Sequence, residues 1–219
     1  MLDAVLDQAA GTAFLAVFGD GEKLFSAAAP MRGRDGAKLP VWVESELDKH
    51  ALTLGEIGRW TVGAGPGSFT GLRLAAALVA GWCYGRKGSC RAVPGVFGLA
   101  AAAGIAPGEF LGCLYDGRNR ELIYVGVSCA ADGELAVVGE PEILNAESAR
   151  TRFAGAESPK RFAAFVPEMP ALAKLAPELE TIPVETPELG ALAAAKAPYD
   201  DDVTRLFYIR PAVYSEPKK

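Results

Sequence analysis

Apolar and polar positions alternate in two separate stretches of the chain, and each stretch predicts a three-stranded meander. The strands of the first stretch are predicted at residues 4–7, 12–18 and 23–29. Those of the second are predicted at residues 110–115, 122–128 and 135–138. An Asp-Gly-Glu turn precedes the third strand in both stretches, at Asp20-Gly21-Glu22 and at Asp132-Gly133-Glu134. The same order of strands and turns therefore occurs twice, which indicates an internal duplication.

After the first meander, apolar residues recur at the spacing of an α-helix. Residues 38–52 place apolar side chains three and four positions apart, which predicts an amphipathic helix. Residues 59–63 predict a short strand, and residues 72–84 predict a helix that is apolar nearly all round except for Arg73. After the second meander, a helix at 146–153, a strand at 161–166 and short helical pieces near 171–175 and 187–197 are predicted between prolines.

The chain twice contains a meander that is followed by helices and a further strand. This order predicts an α/β protein of the actin, hexokinase and Hsp70 architecture. This is the ASKHA or RNase H-like class, in which two duplicated lobes each contain a mixed sheet flanked by helices. The predicted lobes span residues 1–104 and 105–186, and residues 187–219 are a candidate to complete the first lobe. A single mixed sheet with an irregular C-terminal tail is the structural alternative.

Composition narrows the classes of partner. Apolar residues make up 50% of the 219 residues, which suffices for a packed core. The net charge is −5 and the basic residues are scattered, so we expect tRNA, if it is involved, to be held by a partner. Every apolar run is shorter than the roughly 18 residues that span a bilayer. With no signal-peptide pattern at Met1, the sequence predicts a cytoplasmic protein without a membrane segment.

Residue types that carry catalysis are sparse. His50 is the only histidine, and we expect it at the surface near the end of a helix. The cysteines fit neither a CxxC pair nor a ligand cluster, and we expect them to be reduced and partly buried: Cys83, Cys90, Cys113 and Cys129. We therefore predict no catalytic residue, no metal site and no cofactor. One alternative is a nucleotide-binding phosphotransferase or ATPase that uses Asp7 and Asp116 as metal-facing carboxylates.

A glycine-rich loop precedes the second helix and consists of Gly65, Pro66, Gly67, Ser68, Phe69, Thr70 and Gly71. Its glycines allow a sharp turn, and Ser68 or Thr70 could cap the helix. Amides left unpaired at such a turn could hold an anion, while a tight turn without a ligand is the alternative. The spacing fits neither a Walker loop nor a dinucleotide fingerprint.

The run at residues 62–73, from Val62 to Arg73, closely resembles the signature of the TsaB family, which is also called YeaZ. Residues 116–124 resemble the Asp-Ala-Arg-x-x-Glu-Val-Tyr stretch that opens the second lobe of that family. Residues 207–211 resemble its terminal Tyr-Leu-Arg segment. Two stretches depart from the family pattern: Leu6-Asp7-Gln8-Ala9 replaces Leu-Asp-Thr-Ser, and residues 35–40 lack the usual His-Ser-Glu. The lost hydroxyls argue against nucleotide binding by this chain.

The resemblance implies a non-catalytic subunit in the formation of threonylcarbamoyladenosine, t6A, in tRNA. Such a subunit pairs with its paralogue TsaD, which modifies adenosine 37 of ANN-decoding tRNAs, and with the ATPase TsaE. It reaches tRNA only through the complex. Family members have been labelled glycoproteases, but a single histidine leaves peptidase activity as a remote alternative.

The helices on either side of the glycine-rich loop carry more apolar surface than one lobe readily covers. We therefore predict that they bind the TsaD-like partner or, in its absence, a second copy of the chain as a homodimer. Burial of this surface against the chain's own sheet is the alternative. The predicted partner-facing residues are Leu39, Trp42, Val43, Leu47, Leu74, Leu78 and Trp82.

Overall fold

The computed structural model describes residues 1–9, 11–31, 33–84, 88–155, 158–207 and 209. Strands β1 to β5 are Leu2–Asp7, Thr12–Gly19, Glu22–Pro30, Ile57–Gly63 and Ser89–Val93. Strands β6 to β10 are Phe110–Arg118, Glu121–Cys129, Leu135–Asn145, Phe162–Phe165 and Thr181–Val184. Helices α1 to α6 are Leu39–Lys49, Phe69–Cys83, Val96–Ala102, Ala146–Phe153, Met169–Leu175 and Gly190–Ala194.

The strands form two sheets of the same design. The first has the order β3-β2-β1-β4-β5 and the second the order β10-β9-β6-β7-β8. In each sheet an antiparallel meander is extended by two parallel strands, because β4 joins β1 and β9 joins β6 in parallel pairing. The prediction of two duplicated, ASKHA-like lobes is confirmed, and the alternative of a single mixed sheet is wrong.

The central strands are apolar on both faces because helices cover both sides of each sheet. In β1, Ala4 and Leu6 face the core beneath α1 and α2, whereas Val5 between them faces the opposite core. This is the twofold alternation of a strand whose two faces are both buried. The protein thus has three apolar layers: one under α1 and α2, one between the sheets, and one under α4 and α5.

Helices α3 and α6 occupy the layer between the sheets and pack against each other. Both helices follow the last strand of their own sheet, so they are equivalent elements of the duplication. The end of α6 is held by the buried guanidinium of Arg91 on β5, which also donates from Nε to Thr61 Oγ1 at 3.0 Å. Its terminal nitrogens donate, at 2.6 to 3.1 Å, to the carbonyl oxygens of Leu192, Ala193, Ala195 and Ala197. Such carbonyls carry partial negative charge at a helix end.

The chain after α6 runs along the first lobe. The Asp201 amide donates to the Cys90 carbonyl at 2.9 Å, and the Phe207 amide donates to the Ala64 carbonyl at 2.8 Å. Whether residues 187–219 belong to the first lobe, and where the lobes divide between 1–104 and 105–186, stays a prediction. Within the terminal segment used for the family resemblance, Tyr208, Arg210 and Pro211 lie outside the described residues.

Several elements differ from the prediction. The hydrophobic pattern predicts none of β5, α3 and β10, because β5 and α3 lie in a stretch rich in small residues and the short strand β10 contains Pro183. Strand β8 continues to Asn145, well past the predicted end at residue 138, with Gly139 at φ 71° along the way. Helix α2 begins earlier than predicted, at Phe69. None of the helices within the described residues is both long and apolar enough to cross a bilayer.

Candidate functional site: the glycine-rich loop and the outer face of two helices

The glycine-rich loop turns sharply between β4 and α2. Gly65 has φ +97°, a conformation that residues with a side chain rarely adopt. Its carbonyl accepts from the Gly95 amide at 2.7 Å, and the preceding Ala64 amide donates to the Val93 carbonyl at 2.7 Å. The loop is therefore hydrogen-bonded to the end of β5 and to the turn that follows it.

Close backbone contact with the turn between β1 and β2 explains the other glycines. A Cβ atom at Gly67 would overlap the Ala9 carbonyl oxygen, and one at Gly71 would overlap the Gln8 carbonyl oxygen. A Cβ atom at Gly63 would overlap the Asp7 carboxylate. The first turn of the protein thus lies directly against the loop.

Three amides of the loop and of the first turn of α2 have hydrogen-bond acceptors inside the chain. The Ser68 amide donates to the Ala9 carbonyl at 2.7 Å, and the Leu72 amide donates to the Ser68 carbonyl at 2.9 Å. Ser68 is the N-cap of α2, since its Oγ accepts from the Gly71 amide at 3.4 Å. Of the two predicted caps, Ser68 takes this role and Thr70 is exposed. The geometry is that of a tight turn that starts a helix.

A crevice between the lobes lies beside the loop. Its wall includes Asp7, Phe14 and Pro66 from the first lobe, and Tyr115 and Phe165 from the second. The cavity left between them is about 10 Å³. A water molecule needs about that much space, so the described residues leave room there for about one water molecule.

Asp7 is buried at the end of β1, and its Oδ1 accepts from the Ala9 amide at 2.8 Å. Burial raises the pKa of Asp7 to about 6, and the hydrogen bond from Ala9 opposes this shift only in part. Nearby, burial also raises the pKa of Tyr115, with the charges of Cys113, Glu168 and Asp7 adding to the effect. The crevice is therefore a poorly solvated site that disfavours negative charge.

Asp116, the predicted counterpart of Asp7, forms hydrogen bonds within the hairpin between β6 and β7. It accepts from the Arg118 amide at 2.9 Å and from the Arg118 guanidinium at 3.0 Å. The Asp116 amide donates to Glu168 Oε2 at 3.2 Å, and burial raises the pKa of Glu168 to about 7. Among the described residues, no group of three or more His, Cys, Asp or Glu side chains could hold a metal ion.

Helix α2 buries one face and exposes another. Leu72, Ala75, Ala76, Val79 and Cys83 point into the lobe. Toward solvent, the helix presents the small residues Ala77 and Gly81, flanked by the half-buried Leu74, Leu78 and Trp82. Tyr84, just beyond the helix end, is 89% exposed. Arg73 is the single charged residue of α2, and its guanidinium lies 3.8 Å from the centre of the Phe69 ring.

Helix α1 covers the same side of the first sheet as α2. A Cβ atom at Gly36, in the turn that leads into α1, would lie 3.1 Å from Leu74 of α2, so the two helices are neighbours there. Val41 is 69% exposed, and Trp42 is half-buried. We call the following set the outer helix face: Val41, Trp42, Leu74, Ala77, Leu78, Gly81, Trp82 and Tyr84.

The predicted set of partner-facing residues is corrected by these positions. Leu39, Val43 and Leu47 are fully buried in the core beneath α1, because they form the stripe that packs on the sheet. They cannot contact another chain without unpacking the lobe. Trp42, Leu74, Leu78 and Trp82 are half-buried at the border of the exposed surface. For these four residues, partner binding stays a prediction.

His50 and the four cysteines, for which the sequence predicts no catalytic role, have structural surroundings in the protein. His50 lies exposed beyond the end of α1, as predicted, and stacks on Phe25 with ring centroids 3.9 Å apart. All four cysteines are buried and none forms a disulfide. The predicted set of partner-facing residues omits the exposed Val41 and Tyr84, although the helical pattern already places both on the side that faces solvent. The prediction also overlooks Arg91, whose only signal is a charge inside an apolar strand.

Comparison with known proteins gives one family and one fold. The family described as "TsaD: tRNA N6-adenosine threonylcarbamoyltransferase" matches residues 36–191. YeaZ from Pseudomonas aeruginosa is similar in structure, with a TM-score of 0.68, 21% sequence identity, and coverage of 88% of this chain and 90% of that one.

Two further structures have the same fold. A protein with similarity to peptidase YEAZ from Pseudomonas aeruginosa has a TM-score of 0.66 at 19% identity, covering 94% of this chain and 89% of that one. The ethanolamine utilization protein EutJ from Carboxydothermus hydrogenoformans has a TM-score of 0.54 at 12% identity, covering 88% and 89%. No curated protein matches the sequence at a significant level.

Proposed function

The chain belongs to the TsaD family of tRNA N6-adenosine threonylcarbamoyltransferases, and from this membership we propose that it is a TsaB-like, non-catalytic subunit of the t6A machinery. It binds a TsaD-like enzyme through the outer helix face and supports the activity of that enzyme. A TsaE-like ATPase joins the same complex, and tRNA is contacted through the partners.

The closed crevice supports a role without catalysis. An enzyme of this fold that uses a nucleotide needs an open cleft with donors aimed at phosphate. Here the β1–β2 turn fills the space against the glycine-rich loop, and the Ser68 amide bonds to Ala9. The carboxylate of the buried Asp7 accepts a hydrogen bond from the Ala9 amide of the same turn. The alternative of a nucleotide-binding phosphotransferase gains no support from this geometry.

The outer helix face supports a role in binding, and it carries the proposal. A helix that is apolar nearly all round is normally covered on all sides, yet α2 leaves Ala77, Gly81 and the adjoining Tyr84 in water. Small residues allow another helix to approach closely, and the half-buried Trp42 and Trp82 are the type of side chain that dominates interface energy. A helix pair from the paralogous lobe of a TsaD-like protein fits this surface as a four-helix bundle. A second copy of the chain is the competing occupant.

Coexpression with a TsaD-like protein tests the proposal. Val41→Asp places a charge in the centre of an apolar contact, so we expect it to weaken the complex at least tenfold in a titration of purified proteins. Val41 is exposed, and the variant should unfold at the temperature of the wild type.

Val138→Asp is the matched control, because Val138 is an apolar residue that is 45% exposed on the second lobe. It should bind the partner as the wild type does. Equal binding by both variants and the wild type would place the interface elsewhere. Loss of binding in both would point to a general effect of charge.

A further inference from the structure

A cavity of about 120 Å³ lies at the end of the first sheet that is remote from the glycine-rich loop. Ile57, the first residue of β4, is part of its wall, whereas the loop follows Gly63, the last residue of the same strand. The length of β4 therefore separates this cavity from the crevice between the lobes. The complete wall is Gly55, Ile57, Gly58, Trp60, Trp82, Cys83 and Gly88.

The cavity extends from the surface into the first lobe. Gly55 is exposed, whereas Trp60 at the other end of the wall is only 1% exposed. A Cβ atom at Gly88 would lie 3.5 Å from the Gly58 carbonyl oxygen and 3.8 Å from the Cys83 sulfur. Both atoms belong to wall residues, and both distances are ordinary van der Waals contacts. The missing side chain of Gly88 therefore leaves space inside the cavity, and a methyl group would enter it without displacing the wall.

The side chains of the wall favour an uncharged aromatic molecule. None of the seven wall residues is acidic or basic, so an ionised ligand would lose its water without gaining a counter-charge from them. Trp60 and Trp82 lie in contact, with ring centroids 5.0 Å apart and planes inclined by 45°. Aromatic rings attract each other in offset and edge-to-face arrangements, which favours an aromatic ring over an aliphatic one of the same size.

Two backbone oxygens of the wall can accept a hydrogen bond. The carbonyl oxygens of Gly58 and Ile57 are the two atoms nearest to the Cβ position at Gly88, at 3.5 and 3.6 Å. A carbonyl oxygen has two lone pairs, so it can accept from a ligand even when one lone pair is used within the sheet. A ligand with a single hydroxyl or ring N–H group matches this side of the cavity.

We propose that the cavity binds a neutral small molecule of the size of phenol, with one aromatic ring and one hydroxyl or ring N–H donor. The ring packs against Trp60 and Trp82, and the donor bonds to the carbonyl oxygen of Ile57 or Gly58. A cavity of about 150 Å³ accommodates benzene, so the volume here suits one ring. The proposal is independent of the proposed function, although Trp82 is also part of the outer helix face.

Nuclear magnetic resonance of the full-length protein tests the proposal with phenol as the probe. Trp42, Trp60 and Trp82 are the three tryptophans of the chain, so isotopic labelling of tryptophan gives three indole N–H signals. Trp42→Phe identifies the signal of the residue outside the wall. We expect phenol to shift the other two signals with one common dissociation constant in the millimolar range. Benzene, which lacks the donor, and cyclohexanol, which lacks the aromatic ring, should bind about fivefold more weakly or less.

Two glycine variants separate the cavity from the rest of the protein. Gly88→Ala places a methyl group in the cavity and should weaken phenol binding about tenfold or more. Gly81→Ala is the matched control, because a Cβ atom there would meet no atom within 4 Å among the described residues outside the helix backbone. It should bind phenol as the wild type does, and thermal unfolding reports whether both variants are folded.

Three results would overturn the proposal. The first is a folded wild type in which phenol leaves the Trp60 and Trp82 signals unshifted, a result that depends on no variant at a glycine. The second is equal phenol binding by Gly88→Ala and the wild type. The third is tighter binding of benzoate than of phenol, since the wall residues would then not select a neutral ligand.

Discussion

At the scale of single residues, Asp7 has surroundings that disfavour its charge. It is buried at the mouth of the crevice, and its carboxylate accepts a hydrogen bond from the Ala9 amide. Gly63 and Gly95 lie so close that a side chain at either position would overlap or crowd the carboxyl group. The protein therefore stabilises the protonated form of Asp7, and its pKa rises to about 6.

This shift predicts a pH-dependent contribution to stability. The pKa of Asp7 is higher in the folded state, about 6, than its ordinary value of 3.8, so the folded state holds the proton more tightly. The stabilisation is complete below pH 4 and is lost as pH rises through 6. The full difference is about 3 kcal/mol by proton linkage. Glu168, whose pKa is raised to about 7, acts in the same direction.

Asp7→Asn removes the Asp7 contribution and keeps the size of the side chain. We expect the variant to unfold at higher urea concentration than the wild type at pH 7.5, and at nearly the same concentration at pH 4. Urea titrations at the two values of pH measure the difference directly. A constant gap between the two proteins, or a variant less stable at pH 7.5, would contradict the environment described for Asp7.

Two glycines of one helix give a second prediction at the same scale. Gly71, in the first turn of α2, lies against the Gln8 carbonyl, whereas a Cβ atom at Gly81 would meet no atom within 4 Å among the described residues outside the helix backbone. Gly71→Ala should therefore destabilise the protein by roughly 2 kcal/mol or more through overpacking, and Gly81→Ala should stabilise it by about 0.5 to 1 kcal/mol through helix propensity. Thermal unfolding of both variants measures the contrast, and equal effects would contradict the close contact at Gly71.

At the level of elements, α1 shows what a hydrophobic pattern can and cannot decide. The spacing of Leu39, Val43 and Leu47 correctly predicts an amphipathic helix, but the same spacing fits a face buried in the lobe and a face buried by a partner. The structure places all three in the lobe core. Val41 of α1 and Ala77 of α2 are the residues that reach solvent, and their exposure follows from which face each helix turns to the sheet.

Leu39→Ala and Val41→Asp separate these two faces of α1. Leu39→Ala opens a cavity in the core and should lower the free energy of unfolding by about 2 to 5 kcal/mol. Val41→Asp changes an exposed side chain and should alter stability by less than about 0.5 kcal/mol. Urea unfolding of the isolated chain measures both. A stable Leu39→Ala protein would mean that α1 packs with a different face on the sheet.

The repeated meanders could be predicted because alternation and Asp-Gly turns are local signals. Strand β5 and helix α3 could not, since Ser89–Val93 and Val96–Ala102 contain short apolar runs without a distinct period. The loop could be identified from its residues, yet its packing against Gln8 and Ala9 depends on chain pairing about sixty residues apart. The role of Arg91 depends on carbonyls about a hundred residues away.

At the scale of the whole molecule, the two lobes form one unit. Residues of both sheets share a core with α3 and α6, and Tyr115 and Phe165 of the second lobe close the crevice against Asp7 and Pro66 of the first. Opening this crevice for a nucleotide would expose part of that core to water. The outer helix face, in contrast, is available without any rearrangement. This contrast supports the proposal that the chain binds another protein through the outer helix face.

We propose that the chain supports t6A formation through its outer helix face and has no catalytic group of its own. The most direct measurement is the rate of threonylcarbamoyl transfer to tRNA in a mixture of TsaD-like enzyme, TsaE-like ATPase and this chain. With Asp7→Asn the rate should equal that of the wild type, and with Ala77→Arg, an exposed change on the outer helix face, it should fall at least tenfold. Loss of transfer with Asp7→Asn, together with full transfer with Ala77→Arg, would contradict the claim.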